Sequence, residues 1–393
     1  MYNKIKEYQD KYVMKTYAPN LLLVKGAGST VVDDQGNEYL DLMAGISVCN
    51  VGHCHPKVTA AISAQAQKLV HTSNLFINEQ QPLLAKNLIS KGFDGVVFFA
   101  NSGAEANEGL IKFARKWGSD KGKYEIVAMH DSFHGRTLTT LAATGRSQYR
   151  EGFAPDMPGF KHANFNDIES IKAQITDKTA AVLVEPVQGE GGIIKADPKF
   201  LQDLRNLCDE KSILLLFDEV QCGMGRLGTF FAYQSFGIEP DAVSMAKALG
   251  NGFPIGAFIV KRKYENVLTP GTHASTFGGT PLACAAANAV INVIDEENVL
   301  ENCKKMSELI FARFANFVEK FSFVEEIRGA GLMCGIKLDR PAAFLMQPLR
   351  EKSLLVLTAG ESVLRLLPAL NITEEEINKA LDIIEEVLSE VKV

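Results

Sequence analysis

Between residues 79 and 261 the chain alternates between two textures. Short, predominantly apolar runs at 96–100, 125–130, 180–186, 213–219, 242–247 and 256–261 are separated by stretches such as 81–91, 103–117 and 198–211. In the latter, apolar residues recur with helical spacing. Strands and helices in this order predict an α/β unit built on a mostly parallel sheet. The run ILLLF is apolar at every position, as a strand covered by helices on both faces must be. Beyond about residue 280 the pattern predicts helices over 281–296 and 299–321, a hairpin over 324–338, a short helix, two strands around 355–367, and a last helix from Thr373. Residues 28–43, with a turn at 34–36, predict a small sheet that joins this C-terminal part. The expected division is a large α/β domain over 51–280 and a smaller α+β domain formed by 1–50 and 281–393.

Composition narrows the class. Hydrophobic residues make up 46% and charged residues 22% of 393, enough to bury two cores without a covalent staple. The formal net charge of -6 comes with scattered basic residues, so nucleic acid is not an expected partner. Seven cysteines without a CxxC pair read as reduced thiols of a cytoplasmic protein. His53, Cys54 and His55 come from one short loop with no second cluster to close a coordination sphere, so no metal is expected. The first fifteen residues are polar and carry acids, unlike a secretory signal, and no apolar run reaches membrane-span length.

Open α/β sheets place their sites at the carboxyl ends of strands, and three such ends carry chemistry. VVFFA runs into Asn101-Ser102-Gly103-Ala104 and then a helix. The free N–H groups and positive dipole of a helix start favour a phosphate, although Ser102 can equally be a simple N-cap. ILLLF runs into Asp218 and Glu219. SMA runs into Lys247 among small residues, where desolvation would free the amine to condense with an aldehyde. Asp218 lies one βαβ spacing before Lys247, so both can face one pocket. A phosphate cradle, a strand-end lysine and a strand-end carboxylate meet the needs of pyridoxal 5'-phosphate. Phe133 is either a core aromatic or a ring that stacks on that cofactor.

The stretches LDLMAGISVCNVGHCHP, FFANSGAEANEGLIKFAR, SFHGRTLTTLAATG, VEPVQGEGG, LLLFDEVQCGMGRLG, AKALGNGFPIGA, THASTFGGTPLACAAA and LRLLPAL, in this order over about 17–370, carry a family resemblance. The chain resembles the class III aminotransferases, pyridoxal-phosphate enzymes of fold type I, and within them the acetylornithine branch. The resemblance implies that Lys247 carries the cofactor and shuttles a proton, Asp218 partners the pyridine nitrogen, and Gln221 donates to the ring hydroxyl. It implies a cofactor site of Ser102, Gly103, Ala104, Phe133, Asp218, Glu219, Val220, Gln221 and Lys247. Thr276 would complete that site from a second subunit, hence a homodimer with shared active sites. Arg136 and Ser275 would contact substrate. Arg365 would hold the α-carboxylate of glutamate, and Glu190 would pair with Arg365 otherwise.

The implied reaction moves the δ-amino group of N2-acetylornithine to 2-oxoglutarate, within arginine biosynthesis. Alternative substrates are N-succinyl-diaminopimelate, ornithine and 4-aminobutyrate. A glutamate-semialdehyde aminomutase and a non-catalytic binding protein share the fold. Cys49 and Asn50, Ile77, Ala274 and Thr280 depart from the common pattern, and the first two of these sites are expected to line the substrate entrance.

Overall fold

A computed structural model describes residues 1–391. The six apolar runs all enter one seven-stranded sheet. Its order is Gly95–Ala100, Gly256–Lys261, Ala242–Met245, Leu214–Asp218, Thr179–Val184, Glu125–Met129 and Phe160–Ala163. Only Gly256–Lys261 runs against its neighbours, so the sheet is α/β and mostly parallel, as expected. The strand Phe160–Ala163 is an addition at the sheet edge.

The central strand shows why an unbroken apolar run was required. Side chains alternate across a pleated strand, so Leu214 and Leu216 enter one core cluster while Leu215 and Phe217 enter another on the opposite face. Each such fully buried side chain contributes about 1.5–3 kcal/mol. The parallel register pairs Asp218 with Ser244. This brings the end of one strand beside the approach to Lys247, three residues further on.

Near the N-terminus, Leu23–Ala27, Thr30–Asp33 and Glu38–Asp41 form an antiparallel sheet, to which Leu354–Leu355 adds in parallel. A second four-stranded sheet orders Val324–Ala330, Met333–Leu338, Val363–Leu366 and Leu357–Ala359. Arg365 lies on its interior strand Val363–Leu366. The last helix, Glu374–Ser389, starts with a capping box between Thr373 and Glu376. Helix Pro281–Glu296 packs against Pro56–Lys68 and Gln80–Lys91. Among the described residues no helix is long and apolar enough to cross a membrane.

Candidate active site

A cavity of about 410 Å³ opens at the carboxyl ends of the sheet strands. Ten of the residues singled out from the sequence line it: Ser102, Gly103, Ala104, Phe133, Arg136, Glu190, Asp218, Val220, Gln221 and Lys247. Helix Gly103–Gly118 begins at its wall. The Ser102 hydroxyl oxygen accepts the N–H of Glu105 at 3.2 Å, so the N-cap reading holds, and Ser102 faces the cavity as well. The N–H groups of Gly103 and Ala104 fall in the first turn, where no helical acceptor exists. A Cβ added at Gly103 would meet Val220 at 2.7 Å, so only glycine lets the two walls come this close.

Asp218 is almost fully buried and firmly held. Its Oδ2 accepts from Asn107 Nδ2 at 2.7 Å and faces His134 Nδ1 at 2.8 Å, while Oδ1 accepts the Val220 N–H at 3.0 Å. Ser244 in turn donates to Asn107 Oδ1 at 2.6 Å. Burial opposes charge on His134, but the hydrogen bond and charge of Asp218 outweigh it and raise the ring above the usual histidine range. Lys247 opens onto the cavity with a left-handed backbone, φ 44°. Desolvation, the largest influence on its amine, holds it below the usual lysine range. That favours the neutral, nucleophilic form.

Glu190 lines the same cavity as Lys247 and pairs there with Arg365. Arg365 NH1 lies 2.7 Å from Glu190 Oε1 and 3.2 Å from the Gly189 carbonyl, and Gln221 Nε2 lies 3.4 Å from the same Glu190 oxygen. Burial would raise Glu190, but Arg365 outweighs it and keeps the carboxyl below its ordinary range. Arg136, by contrast, forms no ion pair among the described residues. Ser275 stands beside the cavity wall, its Oγ accepting from Asn101 Nδ2 at 3.3 Å. Thr276 does not line this chain's own cavity.

Two expectations are corrected. Glu219 is not part of the pocket: it follows Asp218 along a strand, so its side chain takes the other face. There its two oxygens accept the N–H groups of Ala232 and Tyr233 at 2.6 and 2.7 Å. Burial pushes its carboxyl up to about 8. Asn50 does not line the entrance either. It is fully buried, donating to the Met224 carbonyl and accepting from Arg226, and Val48 lines the cavity in that segment.

Several residues were not found from the sequence. His134 and Asn107 clamp Asp218. Glu185 lines the cavity and accepts the Phe133 N–H at 3.0 Å, and burial pushes its carboxyl up to about 7. For His134 and Glu185 the available signal was position, one residue after Phe133 and at the end of the 180–186 run. Asn107 falls one turn into helix Gly103–Gly118.

The residues present fit pyridoxal phosphate. Around one cavity stand an amine, a held carboxylate, a helix start with free N–H groups, and the buried Nε2 of His134, which has no partner. The class III aminotransferase family model matches residues 12–388. The chain is 48% identical to an acetylornithine aminotransferase of Methanocaldococcus jannaschii, over 98% of both chains. It is 43% identical to an acetylornithine/succinyldiaminopimelate aminotransferase of Photorhabdus laumondii, over 97% of this chain and 96% of the relative. The crystal structure of an ornithine aminotransferase from Toxoplasma gondii superposes with a TM-score of 0.95 at 31% identity, covering 99% of this chain and 95% of that one. With this cavity, this sheet and these matches over nearly its whole length, the chain belongs to the class III aminotransferases, pyridoxal-phosphate-dependent enzymes of fold type I.

Proposed function

We propose that the chain transfers the δ-amino group of N2-acetylornithine to 2-oxoglutarate, giving N-acetylglutamate 5-semialdehyde and glutamate, as a step of arginine biosynthesis. The observation that carries this reading is the pairing of Arg365 with Glu190 beside Lys247, while Arg136 stays unpaired at the same cavity. An amine donor without a carboxylate near the reacting carbon needs the first arginine neutralised and the second free. Glutamate needs both.

Pyridoxal phosphate, when bound, supplies the carrier for the amino group and the electron sink. Ser102, Gly103 and Ala104 would hold its phosphate, Phe133 and Val220 would contact its ring, and Gln221 would donate to the ring hydroxyl. Asp218, held by Asn107, His134 and the Val220 N–H, would offer a fixed carboxylate to the ring nitrogen. Lys247 is the amine that would hold the cofactor and, once released from it, would move the proton at the substrate carbon. Arg136 and Ser275 receive the substrate's distal end.

Thr276 serves the cavity of a second copy, which makes the enzyme a homodimer with shared sites. Exposed Leu75, Phe76, Ile77 and Phe277 support such a docking face. The two-domain division at 1–50 with 281–393 and 51–280 draws support from the pairing of Leu354–Leu355 with Glu38–Asp41. The packing of Pro281–Glu296 favours a boundary beyond residue 296. Seven free thiols suit the cytoplasm.

The double name of the Photorhabdus relative favours one second reading, amino transfer from N-succinyl-diaminopimelate. A panel of amino donors, each mixed with holoenzyme before any 2-oxoglutarate is added, tests both through the visible absorbance of the bound cofactor. Acetylornithine should convert it fastest. Faster conversion by ornithine or 4-aminobutyrate, or turnover without 2-oxoglutarate, would overturn the assignment.

A further inference from the structure

Arg136 is exposed, lines the cavity and makes no ion pair among the described residues, yet it is not loose. Its guanidinium carbon lies 3.9 Å from the centroid of the Tyr149 ring and 5.6 Å from that of Phe133. The two rings stand edge to face, 6.0 Å apart at 88°, so the guanidinium sits in an aromatic corner. A guanidinium stacks through its flat face and donates through its in-plane N–H edge. A ring partner therefore restrains the arginine without occupying the edge a carboxylate would take. An acidic partner would restrain it by filling that edge.

Tyr149 is itself anchored. Arg146 NH1 donates to the Tyr149 hydroxyl at 3.2 Å and to the Glu190 carbonyl at 3.0 Å, and its guanidinium carbon lies 5.1 Å from the Tyr149 centroid. The short turn Ser147–Tyr149 thus reaches Arg136 on one side and, through Arg146, the backbone of Glu190 on the other.

We propose that Tyr149 is a positioning residue that sets recognition of the substrate's distal carboxylate. Its ring holds the Arg136 guanidinium with its donor edge free. The inference rests on the reading of Arg136 as the carboxylate receptor. Ordering the arginine beforehand removes rotamer entropy that the substrate would otherwise have to overcome on binding. The consequence is selectivity for amines that bear a carboxylate over the same chain without one.

The test compares N2-acetylornithine with N-acetyl-1,4-diaminobutane, the same molecule with hydrogen in place of the carboxylate, on holoenzyme carrying Arg136→Ala, Tyr149→Ala, Tyr149→Leu or Tyr149→Phe. Cofactor absorbance reports an intact site. Arg136→Ala, Tyr149→Ala and Tyr149→Leu should each lose roughly tenfold or more in kcat/KM for acetylornithine, mainly through KM, and less than about twofold for the diamine. Tyr149→Phe, which keeps the ring, should recover most of the acetylornithine activity. Should the alanine variant not fold, the leucine variant, which keeps bulk without a ring face, decides. Equal losses for both amines, or none for either, in the Tyr149 variants overturn the proposal while a selective loss in Arg136→Ala leaves the receptor reading standing. A non-selective Arg136→Ala result overturns the receptor reading and this inference with it.

Discussion

Arg365 NH1 lies 2.7 Å from Glu190 Oε1, closing an ion pair in which the arginine is only 2% exposed. A buried guanidinium left without its carboxylate is costly, so the pair can open only when another carboxylate replaces Glu190. Glutamate and 2-oxoglutarate bring one next to the reacting carbon; acetylornithine carries its carboxylate at the far end of the chain, away from Arg365. Arg365→Ala should therefore slow the glutamate half-reaction roughly 100-fold and the acetylornithine half-reaction by less than about fivefold, as expected for one lost charge-assisted contact. Single-turnover absorbance separates the halves, and equal losses would rule the switch out.

Lys247→Ala should bind cofactor without attaching it. Borohydride reduction followed by peptide mass measurement would find the cofactor mass on the Lys247 peptide of wild type and nowhere on the variant, with turnover nearly abolished. Cofactor recovered on another lysine of the wild type would displace Lys247 from its role.

Asp218→Asn removes the charge that a protonated ring nitrogen needs and should cost roughly 10²–10³-fold in kcat with the fold intact. His134→Leu removes one of the contacts that hold Asp218 Oδ2 and should cost about tenfold. It should also move the pH profile of kcat, which a purely structural defect would leave in place. Normal turnover in Asp218→Asn would point to another carboxylate.

The elements covered on both faces were legible because an uninterrupted apolar run such as ILLLF has one comfortable place. Phe160–Ala163 escaped notice because Lys161 and His162 break the run, which an edge strand tolerates. Lys247, Asp218 and the Ser102 turn were legible because each ends a strand. Glu219 was misplaced because neighbours in sequence point to opposite faces of a strand. His134 and Asn107 act on Asp218 from 84 and 111 residues away, a separation no local pattern encodes. Tyr149 sits in an irregular turn with no periodicity to mark its ring.

His53 Nε2 lies 2.7 Å from Asp41 Oδ2. That hydrogen bond, with Cys49 adding to it, lifts the imidazole from 6.5 to about 10. A raised folded pKa means the stabilisation is full below about pH 6.5 and is lost as pH rises through about 10. His53→Gln should thus destabilise by about 1–2 kcal/mol at about pH 6, with the deficit shrinking towards pH 10. Urea denaturation across that range checks it, and a deficit that grows with pH would reverse the assignment of the charged form.

Leu75, Phe76 and Ile77 are consecutive and 86, 67 and 94% exposed, with Phe277 at 61%. The two segments form one face: the His71 and Phe277 rings lie 5.3 Å apart, and Asn74 Nδ2 donates to the carbonyls of Ser275 and Gly278 at 3.1 and 2.9 Å. In the proposed homodimer this contiguous apolar face is the docking surface. Thr276, on the same face, lies outside its own chain's cavity, so a face-to-face dimer is the arrangement that lets it serve another. Because a two-fold interface repeats every contact, one charge introduced there is buried twice. Ile77→Glu should therefore shift the protein to monomer at micromolar concentration and strip most activity. Thr276→Ala should remain dimeric and hold cofactor roughly tenfold more weakly, as for one lost phosphate hydrogen bond. Light scattering coupled to gel filtration reads the first outcome and cofactor titration the second. A fully active monomeric wild type would end the shared-site reading, and so would an Ile77→Glu variant that stays dimeric with full activity.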